Sequence, residues 1–391
     1  MQSTEIFSAV QNYCESQLSF HAKKIDESDS ISEEIYSDLS RLGVFAYGDP
    51  AIDEGKQDEI DRTLIVLKIL EIIGRTSPAV AKAVMDQNFG QIGMIRKHGT
   101  DKCRTYIQRI KHNEGHAAFL MTEPTSGSDL RKFNTTFEAV IGGFRINGFK
   151  DWITGAERRK YFVVLAKEKG AASNFGVFLI DREEALPERI LISGRKNKLG
   201  LRGLGEYYVE LKDVFIPMEN VVITPGSGVI KKMMGQYNLK RCGQAAISIG
   251  AAYASIREAY QYQQERFVKL GRSVFQNSQF VLAEHFTKID SIKDLPYAAA
   301  IRTIVKNDNG AAAAMAKLIA TEHATKCIDA VAQLCGANGL SDQLSFERLY
   351  RDIRMFGIAG GASEVLKENI FANMHGMIQA DRDYSEWMRK N

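Results

Sequence analysis

The stretch Phe119–Leu130, FLMTEPTSGSDL, stands where the chain changes its texture. Before it, from Thr4 to about Gly115, apolar residues recur at three- and four-residue spacing, which predicts helices. After it, as far as Pro225, short runs of β-branched and aromatic residues alternate with glycine turns, which predicts an antiparallel sheet. Beyond Pro225, alanine-dense stretches with few breakers predict closely packed helices.

The order helices, sheet, helices predicts an α+β protein that is mainly α. A chain of 391 residues is too long for one simple core, so we expect more than one domain. We predict an N-terminal helical domain over residues 1–115, a middle antiparallel β domain over 116–225 and a C-terminal helical bundle over 226–391.

Composition excludes several classes of function. Fifty-one basic residues against forty-eight acidic ones leave a net charge of +3, which gives no bulk attraction to nucleic acid or membrane. The five cysteines have no metal-ligand or disulfide-framework spacing, so we expect reduced thiols and no metal. We find no signal peptide and no apolar stretch near 18 residues, and therefore expect a cytoplasmic protein without membrane insertion.

The opening stretch also carries candidate binding groups. Pro124 and Gly127 impose a turn, which leaves backbone N–H groups and the hydroxyls of Thr122, Ser126 and Ser128 available. Such a loop can hold the edge of a flavin ring or a pyrophosphate. Composition alone is equally consistent with a polar turn between strands.

Three further segments bear on the chemistry. Gly148–Ala156, GFKDWITGA, places Trp152 two residues before Thr154, so both side chains of a strand point to one face and can flank a flavin. A buried core tryptophan is the alternative. Lys198–Pro217 is a glycine-broken segment that runs into an alternating strand, and Ala332–Ile370 has two glycine-rich turns around a helix.

Together and in this order, the four segments resemble the acyl-CoA dehydrogenase superfamily over essentially the whole chain. Their family counterparts read TEPxAGSD, then KxWITN, then GxRG followed by a strand and DVxVP, then QxxGGxGY followed by ERxxRD. The resemblance implies a helical domain, a middle β domain and a C-terminal four-helix bundle, with FAD between the last two. It also implies a homodimer or homotetramer.

The resemblance assigns FAD contacts position by position. It places Met121 and Thr122 at the flavin ring, and Ser128 near the pyrophosphate. Trp152 packs against the isoalloxazine, and Thr154 hydrogen-bonds near the nitrogen that receives the hydride. The residues implied to touch the adenine half of a neighbouring subunit's FAD are Arg266, Gln276, Gln333 and Gly336. The spacing between the first two is about one residue shorter than the family pattern.

The family's usual catalytic base is missing. The motif IYEGTSEI, whose first glutamate removes the α-proton, reads IAGGASEV here at residues 358–365, so the base position is Gly360. Glu364 matches the second, non-catalytic glutamate. Some members carry the base in a Glu-Arg pair early in the C-terminal domain, and the matching pair here is Lys240-Arg241. Neither location supplies a carboxylate.

The resemblance implies FAD-dependent oxidation of an acyl thioester, and the missing base favours a biosynthetic relative over an enzyme of classical β-oxidation. Several explanations of the missing base stay open. Glu206 or His285 can serve as a relocated base. The substrate can instead be a hydroxyacyl, glyceryl or aminoacyl group on an acyl carrier protein, oxidised to make polyketide or nonribosomal-peptide extender units, which needs only an O–H proton acceptor. A flavin monooxygenase, an enzyme like nitroalkane oxidase and a non-catalytic flavin-binding protein are further alternatives.

The partners follow from the same resemblance. We expect acyl-CoA or an acyl carrier protein as the thioester carrier, and a flavoprotein or oxygen as electron acceptor. The carrier can meet local basic runs at residues 158–160, 195–198 and 231–232.

Overall fold

A computed structural model describes residues 3–48, 55–171, 173–306 and 309–390. In these ranges seven α-helices precede the strands, and a short π-helix, Cys14–Leu18, joins the first two. The seven are α1 (Ser3–Tyr13), α2 (Ser19–Ser28), α3 (Glu33–Arg41), α4 (Lys56–Gly74), α5 (Pro78–Asp86), α6 (Gln91–His98) and α7 (Asp101–Lys111).

One sheet follows in the chain, with the order β6-β7-β3-β2-β4-β5-β8 and β1 paired to β4. The strands are β1 (Ala117–Leu120), β2 (Thr136–Val140), β3 (Gly143–Thr154), β4 (Tyr161–Glu168), β5 (Phe175–Asp181), β6 (Ile190–Ser193), β7 (Glu206–Pro217) and β8 (Val221–Gly226). The sheet is mixed rather than wholly antiparallel, because β4 runs parallel to β1 and β2. The loop after β1 and the β2–β3 hairpin form the long crossover that parallel pairing requires.

Six helices complete the described chain. They are α8 (Val229–Lys269), α9 (Gln276–Ile292), α10 (Leu295–Lys306), α11 (Ala311–Leu334), α12 (Phe346–Phe356) and α13 (Ser363–Lys390). The long helix α8 packs against α9, α10 and α11, while α12 and α13 pack on α11. The predicted fold class, mainly helical with a β domain between helical parts, is confirmed.

The first and last helical parts meet at small residues. A Cβ atom added to Gly250 of α8 would lie 2.2 Å from the Glu71 carbonyl of α4, and one on Gly74 would lie 2.9 Å from the Ile247 carbonyl. The two backbones therefore touch directly, which only glycine permits. This close crossing sets the position of α8 relative to α5, and so of the residues that both helices contribute to the site.

The apolar core divides into two clusters. One joins the helices to one face of the sheet, and the other fills the opposite side of the strands around Phe137, Phe144 and Phe178. All five cysteines are buried and none forms a disulfide. Among the described helices, none is long and apolar enough to cross a membrane.

Candidate active site

Trp152 stands on a β-bulge. The ladder between β3 and β7 passes from the pair Lys150–Val209 to the pair Ile153–Tyr207, so two residues of β3 oppose one of β7. Trp152 has a φ of +56°, a left-handed value that costs a non-glycine residue energy. A bulge re-aims side chains, and here it leaves the indole 49% exposed. A strained backbone at a residue with an exposed aromatic side chain, as at Trp152, is typical of a ligand-binding position.

Thr154 lies on the same side of β3 as Trp152. Ile153 between them is buried in the sheet core, whereas Trp152 is exposed and Thr154 half-buried. Lys196 holds this edge in place, with Nζ 4.8 Å from the centre of the Trp152 ring and 2.9 Å from the carboxylate of Asp151. The indole plane of Trp152 and the hydroxyl of Thr154 therefore lie on the same side of β3.

The loop after β1 is tied to β3 beside them. The carbonyl of Thr122 accepts a hydrogen bond from the Asp151 N–H at 2.9 Å, and the carbonyl of Met121 accepts one from Lys150 Nζ at 3.3 Å. Lys150 also pairs with Glu123 at 3.0 Å, with both side chains fully buried. The loop thus lies against the bulge, while Ser128 is exposed farther along it.

Glu206 is the first residue of β7 and lies opposite Thr154. The Thr154 hydroxyl donates to Glu206 Oε1 at 3.0 Å. Within the residues that the structure describes, the buried Oε2 has no hydrogen-bond partner. Burial raises the pKa of Glu206 to about 7, although Lys82 and Lys198 act in the opposite direction. A carboxyl group poised near neutral pH with a free oxygen is suited to proton transfer.

The alternative base position, Lys240, is held by the N-terminal helices. Its Nζ lies 2.7 Å from Asp86 Oδ1, and Lys82 Nζ lies 2.5 Å from the other oxygen of the same carboxylate. Lys82 Nζ is also 3.5 Å from the Thr154 hydroxyl. Helix α5 sets this geometry, because Ser77 caps its first turn and i,i+4 spacing brings Lys82 beside Asp86.

The position that the resemblance assigns to the usual base, Gly360, lies against a neighbouring side chain. Gly360 has a φ of +79°, and its carbonyl accepts a hydrogen bond from Arg241 Nε at 2.9 Å. A Cβ atom at Gly360 would lie only 2.2 Å from Gln244 Oε1. Gln244 is 1% exposed, and this Oε1 has no hydrogen-bond partner among the described residues. The end of the Gln244 side chain therefore occupies the space beside Gly360, and a side chain at this position would have to displace it.

The remaining sequence candidates lie elsewhere. His285 is on α9, where its charged neighbours are Lys288, Glu284 and His323, and the structure does not bring it to Glu206. The four residues assigned to a neighbouring FAD are exposed near the ends of their helices or just past them: Arg266, Gln276, Gln333 and Gly336.

Two of the three basic runs contain residues that bind other residues of the same chain. Arg159 donates to the Tyr36 hydroxyl, and Arg195 pairs with Asp29 at 2.8 Å. The pair at residues 231–232, at the start of α8, is exposed.

Sequence reasoning missed Lys82, Asp86 and Gln244. A signal for the first two was present, because the run PAVAKAVMD is apolar on nearly every side yet carries both charges. Ionised groups that share a buried helix with apolar residues need a partner, and these two pair with each other. Gln244 gives no comparable signal, because its contact with Gly360 joins residues more than 100 positions apart.

The site fits FAD. An exposed indole on a strained bulge, a hydroxyl beside it and an orphaned buried carboxyl oxygen are features expected where a polar planar ring docks from outside the chain. The backbone of the loop after β1 faces the same region. Trp152, Thr154 and this loop are the residues that would hold the ring.

Comparisons with known proteins agree. The family models "Acyl-CoA dehydrogenase, middle domain" and "Acyl-CoA dehydrogenase, C-terminal domain" match residues 118–214 and 227–375. Mitochondrial isovaleryl-CoA dehydrogenase of Oryza sativa subsp. japonica is 31% identical over 76% of this chain and 72% of its own. The 3-sulfinopropanoyl-CoA desulfinase of Cupriavidus necator is 27% identical over 79% of both chains.

Among solved structures, a glutaryl-coenzyme A dehydrogenase in complex with glutaryl-CoA superposes with a TM-score of 0.86 at 25% identity. The match covers 96% of this chain and 95% of that one. Fold, site and matches together define a flavin-dependent oxidoreductase. The chain belongs to the acyl-CoA dehydrogenase family, and it is an FAD-dependent enzyme that acts on acyl thioesters.

Proposed function

We propose that this enzyme oxidises the acyl group of a short, polar thioester, with Glu206 as the proton acceptor in place of the family's usual glutamate. The observation that carries the proposal is the Glu206 carboxyl group, which is hydrogen-bonded to Thr154, has one unengaged oxygen and has a pKa raised by burial to about 7. Gly360, closed by Gln244, offers no such group.

The chain's own residues have separate tasks in this reaction. FAD, when bound, supplies the hydride acceptor. Trp152 and the loop after β1 hold the ring, and Thr154 orients Glu206 by donating to one carboxyl oxygen. The other oxygen is then directed at the substrate and takes up the proton. Lys82 and Lys198 lower the pKa that burial raises, so that the carboxylate form is accessible near neutral pH.

The surroundings favour a biosynthetic relative over an enzyme of fatty-acid breakdown. Lys82 and Glu206 contact the Thr154 hydroxyl, and Asp86 and Lys240 extend this polar cluster, so a hydrocarbon chain would lie against charged groups to which it offers neither donor nor acceptor. A hydroxyacyl, glyceryl or aminoacyl group on CoA or on an acyl carrier protein suits them better. The exposed pair Lys231-Lys232 is a candidate contact for the acidic face of a carrier.

Anaerobic reduction of the bound flavin tests the substrate class. We expect bleaching of the flavin absorbance with oxygenated acyl groups on CoA or a carrier protein, and little with butyryl-CoA. Rapid bleaching by saturated acyl-CoAs would instead indicate ordinary dehydrogenation. An unchanged spectrum with every substrate would favour a non-catalytic flavoprotein, and oxygen insertion on admitting air would favour a monooxygenase.

Replacement of Glu206 tests the proton acceptor. Glu206→Gln keeps the shape and the contact with Thr154 but cannot take a proton, so flavin reduction should slow by at least about 100-fold. FAD should stay bound, as measured by its absorbance after gel filtration. Glu210→Gln on the same strand, whose partner is the half-exposed Lys212, is the matched control and should reduce normally. Normal reduction in Glu206→Gln would reject the assignment.

A second candidate is removal of an anionic substituent from the acyl group. Two observations favour it: the α-proton base is missing at Gly360, and the chain is similar to a 3-sulfinopropanoyl-CoA desulfinase. Such an enzyme would break the carbon–sulfur bond of 3-sulfinopropanoyl-CoA with water: the carbon takes up a proton to give propanoyl-CoA, and the sulfinate group leaves as sulfite. The reaction is redox-neutral, so the flavin would show no net bleaching. Sulfite assays beside the anaerobic spectra separate the two candidates, because only oxidation leaves the flavin reduced.

We further propose that the enzyme is a homodimer or homotetramer in which the exposed Arg266, Gln276, Gln333 and Gly336 contact FAD of a neighbouring subunit. The same region has a cavity of about 920 Å³ between α8 and α9, with Phe267, Leu282 and Phe286 in its wall. An open apolar cavity of this size is typical of a surface that another chain covers. Analytical ultracentrifugation of the FAD-loaded protein decides the state, and a monomer would reject the proposal.

A further inference from the structure

Two lysines share one carboxylate beside the candidate active site. Lys82 of α5 and Lys240 of α8 reach the two oxygens of Asp86 at 2.5 Å and 2.7 Å. All three side chains are almost completely enclosed. Burial alone would raise the pKa of Asp86, but Lys240 and Lys82 outweigh burial and hold that pKa at about 2. Asp86 is therefore ionised and balances one of the two ammonium groups.

Glu206, the other nearby carboxyl group, does not balance the charge of the second ammonium group. Glu206 is only about half ionised at neutral pH, because burial raises its pKa to about 7, and Lys198 adds a further cation on the same side. Burial also lowers the pKa of Lys82, whereas the pKa of Lys240 is raised because its attraction to Asp86 outweighs burial, so Lys82 is the ammonium group with less compensation. A buried charge without full compensation is unfavourable, so this region favours an arriving anion.

The geometry leaves donors for such an anion. An ammonium group has three N–H donors; Lys82 uses one of them on Asp86 Oδ2, while Lys240 forms an ion pair with Oδ1 at 2.7 Å. A second donor of Lys82 lies 3.5 Å from the Thr154 hydroxyl, which places the amine at the same edge as Glu206. Two ammonium groups that converge on one carboxylate from different helices can also converge on the oxygens of a ligand.

We propose that Lys82 and Lys240 bind an anionic end of the substrate's acyl group, a carboxylate or a sulfinate, and so select dicarboxylic or sulfinated acyl thioesters. This inference rests on the proposed function, since it places the acyl group beside Thr154 and Glu206. Asp86 keeps the two lysines charged and parted until the ligand's anion arrives. The same cluster disfavours an acyl chain that ends in a methyl group, because that chain offers the ammonium groups no acceptor beyond Asp86.

Binding of matched thioesters tests the inference without requiring turnover. The FAD-loaded protein is titrated with succinyl-CoA and with butyryl-CoA, which has a methyl group where the first has a carboxylate, and binding is followed by calorimetry and by the flavin spectrum. Succinyl-CoA should bind at least about tenfold more tightly. Lys82→Met and Lys240→Met should each remove that preference, whereas Lys288→Met, at an exposed position of α9, should keep it.

A second variant guards against simple damage to the fold. Lys240→Arg keeps a cation beside Asp86 and should keep the preference for succinyl-CoA that Lys240→Met loses, a result that damage to the fold cannot produce. Equal affinity of the two thioesters in the unaltered protein would overturn the inference. So would a preference for succinyl-CoA that survives in both Lys82→Met and Lys240→Met. 3-Sulfinopropanoyl-CoA in the same titration distinguishes a sulfinate from a carboxylate. Lysine-dependent binding without flavin reduction would reject the proposed oxidation alone.

Discussion

At the scale of single residues, the proposed role of Glu206 predicts an activity that depends on pH. A carboxyl group accepts a proton only when it is ionised, and burial raises the pKa of Glu206 to about 7. The rate of anaerobic flavin reduction should therefore rise by about tenfold between pH 6 and pH 8. Stopped-flow absorbance measures the profile, and Glu210→Gln should reproduce it. A flat profile across this range would exclude Glu206 as the acceptor.

Gly360 is the second position at which the proposed chemistry depends on the identity of a single residue. Gly360→Glu should not create an ordinary dehydrogenase, because its Cβ would lie 2.2 Å from Gln244 Oε1 and φ is +79°. We expect a loss of about 1–3 kcal/mol of stability and no bleaching by butyryl-CoA. The double variant Gly360→Glu with Gln244→Ala opens the space and should restore part of the stability.

Anaerobic spectra and thermal melting check both variants. Rapid bleaching of the single variant Gly360→Glu by butyryl-CoA would show that the Gln244 side chain moves aside to admit the new glutamate. Gln244→Ala alone is the control for loss of the amide.

At the scale of elements, a buried ion pair joins the loop after β1 to β3. Glu123 accepts from the backbone N–H groups of Asn134 and Thr135 and from Lys150 Nζ, and Lys150 also donates to the Met121 carbonyl. Lys150→Met removes the cation and leaves a buried carboxylate, which costs about 3–5 kcal/mol. Because the loop is a predicted flavin contact, we also expect weaker retention of FAD.

The double variant Lys150→Met with Glu123→Gln separates charge from packing. It should be more stable than Lys150→Met, since no unpaired charge stays buried. Thermal melting and FAD content after gel filtration measure the two effects. If Lys150→Met melted like the unaltered protein and kept its FAD, the pair would have no role in holding the loop.

At the scale of the whole molecule, α12 connects parts of the chain that are far apart in sequence. Arg351 forms a two-pronged ion pair with Asp26 of α2, at 2.9 Å and 2.6 Å, and donates to the Leu199 carbonyl at 3.2 Å. The next residue, Asp352, accepts from the Leu201 N–H at 2.5 Å. The segment that leads into β7 and Glu206 is thus held by α2 and α12 together.

Arg351→Ala should lower the stability of the FAD-loaded protein by about 2–3 kcal/mol, since it leaves Asp26 without its partner in a largely enclosed place. Lys23→Ala breaks an exposed pair between Lys23 and Asp342 and should change stability by less than about 1 kcal/mol. Thermal melting compares the two. Equal shifts would mean that the connection through Arg351 adds nothing beyond a surface ion pair.

The sequence by itself determined the order of helices and strands and the shared face of Trp152 and Thr154. These features depend on local periodicity, on turn residues and on motifs that lie within a few residues of each other. The resemblance to the acyl-CoA dehydrogenases assigned the usual base position to Gly360, and Glu206 was included among the candidates for a relocated base. It expected an antiparallel sheet, because local patterns do not report which strands pair across a long crossover.

Only the tertiary structure decided what surrounds those residues. The bulge at Trp152, the occupation of the base position by Gln244 and the sharing of Asp86 by Lys82 and Lys240 all join segments distant in the chain. The raised pKa of Glu206 likewise results mainly from burial by several elements. Distances and desolvation of this kind are set by packing, so no motif within one segment can encode them.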